Sequence, residues 1–175
     1  MSAMCSAVIT RMEWNQPRAF ERYYEFLIDG ELTGTLKFAK SSETLATAEY
    51  GGRRWTFKRS GFWSPKISVH DTDTDNEVAV FNPRWKGGGE LVFATGQRFL
   101  LKSLSFLGLE WAFETDSGQE IVSLDGPHGL FHNRAAASFG LGAATMAETP
   151  ILVSLIWYLR LLMQEEQTVV NVCCG

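Results

Sequence analysis

Arg54 and Lys58 stand four residues apart in the alternating stretch RRWTFKRS, and Arg98 and Lys102 keep the same spacing in RFLLKS. Successive side chains of an extended strand point to opposite faces, so Trp55 and Phe57 share one face and Arg54, Thr56 and Lys58 the other. The apolar face is expected to be inward. That leaves two matched pairs of cations on an outer surface, a chemistry suited to phosphate, to which arginine presents a bidentate fork. Arg59, Lys66, Arg84 and Lys86 lie close by in sequence. The segment NPRWKGGG adds Arg84 and Lys86 to three glycines, whose backbone N–H groups can face an anion. It lacks the GxxxxGK[ST] pattern of a nucleotide-binding loop, and a plain connection between strands explains it equally. The candidate lipid-headgroup-binding residues are therefore Arg54, Lys58, Arg98, Lys102, Arg84 and Lys86, weighed against ordinary solvated strand faces.

Other reactive side chains are less suggestive. His128 and His132 have a metal-ligand spacing only on a helix, and the surrounding DGPHGLFHNR, with Pro127 and two glycines, argues against one. The run Asp71, Asp73, Asp75, Asn76 and Glu77 offers alternating oxygen ligands but lacks the glycine and spaced glutamate of a calcium-binding EF-hand loop, so a hairpin tip is expected there. There is no GxSxG elbow and no cysteine in a histidine-rich setting, so neither catalytic residues nor a cofactor or metal is expected. Cys5, Cys173 and Cys174 lie near the two ends, unlike a disulfide framework. A cytoplasmic protein, peripheral to membrane at most, is the expectation, and the opening residues lack the pattern of a secretory signal.

The elements that must position these residues are mostly strands. From Phe20 to Leu124 short runs rich in Phe, Trp, Val, Leu and Thr alternate with polar turns. Hairpin tips are predicted at Asp29-Gly30-Glu31, at Asp71 to Asn76 and at Asp116-Ser117-Gly118. Two stretches match each other, GRRWTFKRSGFWSPKISV from Gly52 and GQRFLLKSLSFLGLEWAF from Gly96. Arg54 pairs with Arg98, Lys58 with Lys102 and Phe62 with Phe106. After a one-residue deletion the match continues, with Asp73 opposite Asp116 and Glu77 opposite Glu120. This implies a duplicated β-meander with units at about 45–81 and 91–124. A single domain over 1–175 closed into an antiparallel barrel follows, because closure removes exposed strand edges. Gly129 to Thr149 is expected to supply a last strand and a connection. Pro150 opens a helix over about 150–166, with Thr149 as N-cap. ILVSLIWYLRLLM is apolar on nearly every side, so the helix is expected inside the barrel.

The strand-turn units VHDTDTDNEVAVF and AFETDSGQEIVSL, followed by PILVSLIWYLRLLM, resemble the tubby C-terminal-like superfamily, which includes LURP-one-related proteins and phospholipid scramblases. The resemblance covers most of residues 14 to 165 and implies a twelve-stranded barrel threaded by a hydrophobic helix near its C-terminus. Tubby-type members bind phosphoinositide headgroups through exterior basic side chains, and many LURP-one-like members have no assigned activity. A non-enzymatic binding or scaffold protein for anionic phospholipid is what the resemblance and the cations together imply. The alternatives are a barrel holding a small hydrophobic ligand, with the helix as its plug, and a protein acting through protein partners. A net charge of -4 argues against nucleic acid, and the apolar run near the C-terminus, broken by Arg160, is short for a membrane span.

Overall fold

The computed structural model describes residues 10–61, 63–85, 87–129 and 132–173, with side chains described to residue 168. Twelve strands follow one another: β1 Met12–Asn15, β2 Tyr23–Ile28, β3 Glu31–Phe38, β4 Ala46–Tyr50, β5 Arg53–Ser60 and β6 Lys66–Asp71 make the first half. The second half is β7 Glu77–Pro83, β8 Gly89–Phe93, β9 Arg98–Ser103, β10 Glu110–Glu114, β11 Glu120–His128 and β12 Arg134–Phe139. A short 3-10 turn at Ala143–Thr145 then leads into helix α1, Thr149–Cys173. Each strand pairs antiparallel with its sequence neighbour, and β1 pairs with β12 in the register Met12↔Ala137, so the sheet closes into the expected barrel.

Alternation drives closure. In β5 Trp55 and Phe57 are fully buried while Arg54 and Lys58 are exposed, and in β9 Phe99 and Leu101 point in while Arg98 and Lys102 point out. Some walls use small inward residues, Ala46 and Ala48 on β4 and Ala135 and Ala137 on β12, whereas β1, β2 and β5 bring Trp14, Phe26 and Trp55. The small inward residues leave room in the lumen for a second body. That body is α1, whose side chains are all buried from Ile151 to Leu162. Trp157 stacks on Trp14 at 6.0 Å and meets Tyr24 edge-on at 5.6 Å, while Tyr158 lies between Phe38 at 5.5 Å and Phe57 at 5.3 Å. From another side Arg160 reaches over Trp111 of β10 at 5.4 Å. A helix whose sides touch β1, β3, β5 and β10 occupies the barrel axis, and each large side chain buried there stabilises the fold by about 1.5–3 kcal/mol.

The start of α1 differs from expectation. Pro150 lies in the first turn, where its missing N–H removes no helical bond. The Thr149 hydroxyl, however, donates to the Ala143 carbonyl at 2.6 Å, and the Glu148 carbonyl accepts the first helical N–H groups, from Ile151 and Leu152 at 3.0 Å each. The helix also runs on past residue 166 to Cys173.

The duplicated sequence stretches occupy duplicated geometry. Strands β4 to β7 correspond in order to β8 to β11. The β6–β7 ladder shifts register after Val69 and the β10–β11 ladder after Phe113, which are matched positions. The left-handed position of each following turn is also matched, Asp75 at φ 57° and Gly118 at φ 82°. Aspartate and glycine are among the few residues that adopt this conformation readily. Among the described residues, no helix is long and apolar enough to cross a membrane.

Candidate functional site

In an antiparallel meander consecutive connections lie at alternate ends. The described residues of connections 16–22, 39–45, 61–65, 84–88, 104–109 and 129–133 therefore gather at one end, called the loop end, and residues 29–30, 51–52, 72–76, 94–97 and 115–119 at the other, the turn end. Helix α1 enters from the turn end and emerges at the loop end. Its emerging part is fastened to the rim: Arg22 donates to both Glu165 carboxylate oxygens at 2.8 and 2.9 Å, and Arg59 pairs with Glu166. The Arg22 guanidinium also lies 3.9 Å over the Phe38 ring. Burial pushes the Glu165 carboxyl above its ordinary pKa, with Arg22 opposing that rise. The Tyr158 hydroxyl donates to the Thr44 carbonyl, and burial raises its pKa too.

The strand-face cations do not form one patch. Strands β5 and β9 are four places apart in a closed order of twelve, about a third of the circumference. Arg54 pairs with Asp73, and its repeat equivalent Arg98 pairs with Asp116, the equivalent of Asp73, at 3.3 Å and with Glu90 at 3.4 Å. Lys102 pairs with Glu114. The matched arginines thus hold each meander's hairpin turn. Lys58 is exposed with no ion pair among the described residues. Arg84 is exposed on the 84–88 connection at the loop end, and Lys86 lies outside the described residues.

Both remaining acidic and histidine clusters have local duties. One Asp71 oxygen accepts the Asp73 and Thr74 N–H groups at 3.0 Å each, and the Thr74 hydroxyl at 3.1 Å. These bonds, the Thr74 N–H foremost, hold the Asp71 pKa below the ordinary carboxylate range. His70 bonds the Asp75 carbonyl, His128 meets the Asp125 carboxylate at 3.0 Å, and His132 meets the Gln16 carbonyl at 2.9 Å.

The loop end holds a different set of residues. An open cleft of about 760 Å³ between connections 16–22 and 39–45 is lined by Phe20, Arg22, Lys37, Lys40, Glu21 and Glu43 among others. Lys37 and Lys40 are exposed and have no ion pair among the described residues, while Glu21 is engaged by Arg18 at 3.3 Å. Charge is also sorted by end. Among the described residues the loop-end connections carry Arg18, Arg22, Lys40 and Arg84 against Glu21 and Glu43, whereas those of the turn end carry Asp29, Asp73, Asp75 and Asp116 and no lysine or arginine. The exposed aromatic side chains share the cationic end, while Leu32 and Leu141, 58% and 90% exposed, stand at the turn end. Phe20, Trp63, Trp85, Phe106 and Leu107 are 93%, 93%, 102%, 104% and 79% exposed, all on loop-end connections. Phe20 holds its ring in solvent from a left-handed backbone, φ 66°, a conformation unusual for a bulky residue and often stored at functional sites.

Fold and site together define a closed, helix-filled β-barrel with one cationic, aromatic-tipped end. No family model, no curated protein and no solved structure matches the chain.

Proposed function

We propose that the protein is a non-enzymatic binding protein of the tubby-like kind that recognises anionic phospholipid headgroups, with recognition centred on the loop end rather than on the β5 and β9 faces. The observation that carries the reading is the cleft: Lys37 and Lys40 stand exposed along it without carboxylate partners among the described residues, whereas Arg54, Arg98 and Lys102 are engaged by acids. An anion approaching the cleft meets cations it need not take from another partner. The strand-face arginines would first have to surrender theirs. With α1 filling the lumen, the interior offers a small hydrophobic ligand little space, so the concave surface for a ligand is outside.

Sedimentation with phosphatidylcholine vesicles, with and without phosphatidylserine or a phosphoinositide, at two salt concentrations tests this. Cations near an anionic surface contribute about 1 kcal/mol each and are screened by salt, so Lys37→Gln, Lys40→Gln and Arg84→Gln combined should weaken binding roughly a hundredfold. Neutralising Arg54, Lys58, Arg98 and Lys102 should weaken it far less. No binding to any anionic vesicle, or binding lost only in the strand-face variant, would refute the reading.

A further inference from the structure

We infer that the loop end is a membrane-inserting face, on which the barrel stands end-on with Phe20, Trp63, Trp85, Phe106 and Leu107 in the boundary between headgroups and acyl chains. This deepens the headgroup reading and rests on it. The first ground is position. These five side chains come from four separate connections, 16–22, 61–65, 84–88 and 104–109, spread around the barrel mouth from the β1–β2 loop to the β9–β10 loop. Tips distributed around a rim define a plane. They do not form a groove into which a peptide or helix could lie.

The second ground is exposure. Phe20, Trp85 and Phe106 are each more than nine-tenths exposed, so each presents nearly its whole ring to solvent, and Trp63 is 93% exposed. Tryptophan with a neighbouring cation is the pairing that favours a membrane interface, where the ring's body is apolar and the surrounding headgroups are charged. Here Arg84 precedes Trp85, Arg18 lies two residues before Phe20, and Lys66 lies three after Trp63.

The third ground is charge. Glu165 and Glu166, the carboxylates that α1 carries to this end, are neutralised by Arg22 and Arg59. The turn-end connections, by contrast, are acidic. Arg54 and Arg98 pair Asp73 and Asp116 of the turns, so the orientation is selected by Lys37, Lys40 and Arg84, the loop-end cations with no ion pair among the described residues, which an anionic bilayer attracts. A second copy docked loop end to loop end would bring two cationic ends together.

The test is tryptophan fluorescence with phosphatidylcholine–phosphatidylserine vesicles whose acyl chains are brominated near the headgroup. Trp14, Trp55, Trp111 and Trp157 are buried, so the response belongs to Trp63 and Trp85. Binding should shift their emission to the blue and quench it. Trp85→Ala and Phe106→Ala, which leave the core untouched, should each lower partitioning about tenfold, the scale of burying one aromatic ring. Sedimentation with the vesicles but without quenching overturns insertion and leaves headgroup recognition standing. Quenching by neutral vesicles that is insensitive to salt upholds insertion and refutes headgroup recognition. Failure to bind any vesicle refutes both, and a dimer in solution that Trp85→Ala dissolves overturns insertion in favour of self-association.

Discussion

Trp157→Ala is the perturbation whose cost follows most directly from the packing. The side chain is fully buried, stacked on Trp14 and edge-on to Tyr24. Truncating such a ring in a lumen that cannot collapse, because hydrogen-bonded walls surround it, should cost about 3–5 kcal/mol. In urea, with a slope of roughly 2–3 kcal/mol per M, the unfolding midpoint should fall by 1–2 M. Trp157→Phe should be much milder. The indole N–H of Trp157 is buried without a hydrogen-bond partner among the described residues, so phenylalanine removes an unsatisfied donor along with part of the ring. A double-mutant cycle with Trp14→Ala should show a coupling of about 0.5–1.5 kcal/mol for the stacked pair. The assay is urea unfolding followed by circular dichroism, with the slope checked for constancy. A loss under about 1 kcal/mol for Trp157→Ala, or no coupling to Trp14, would refute the placement of α1 on the barrel axis. It would revive a helix that leaves the lumen.

Two further outcomes follow from single buried or bonded groups. Arg160 is only 6% exposed, bonds the Gly126 carbonyl at 3.3 Å and has no carboxylate partner among the described residues; burial lowers its pKa. Arg160→Met keeps much of the volume and removes a desolvated charge, so it should leave thermal stability unchanged or raise it, and a clear drop in melting temperature would show that the cation is needed. Asp71 has a depressed pKa in the folded state, so its bonds to Asp73 and Thr74 contribute above the ordinary carboxylate range and are lost as pH falls below it. The amide proton shifts of Asp73 and Thr74 should titrate together there, and Asp71→Asn should abolish that titration.

The barrel was legible because each level of the sequence agreed. Trp55 and Phe57 against Arg54 and Lys58 set the strand faces, the repeat set the order of strands, and a helix apolar all round had nowhere to go but inside. Helix α1 was harder to end, because the polar stretch QEEQ at 164–167 closes the apolar run, while the helix, held at Glu165 and Glu166 by Arg22 and Arg59, continues to Cys173. The cations were legible only in part. Alternation tells whether Arg54 points in or out, but not where around the barrel it lies, and the likeness of Arg54 to Arg98 reflects a duplicated ion pair with Asp73 and Asp116. Lys37 and Lys40 gave no pattern of their own and gain their setting from the approach of two connections. The aromatic tips did carry a signal. Counting connections from any hairpin gives their parity, and Trp63, Trp85 and Phe106 fall on connections of the same parity as Phe20.

Hydrogen exchange of the protein free and on phosphatidylserine-containing vesicles tests end-on docking most directly. The account predicts slowed exchange in connections 16–22, 39–45, 61–65, 84–88 and 104–109, with the turns at 29–30, 72–76, 94–97 and 115–119 unchanged. Protection of the turns, or of the outer faces of β5 and β9 with the loop end unaffected, would contradict it.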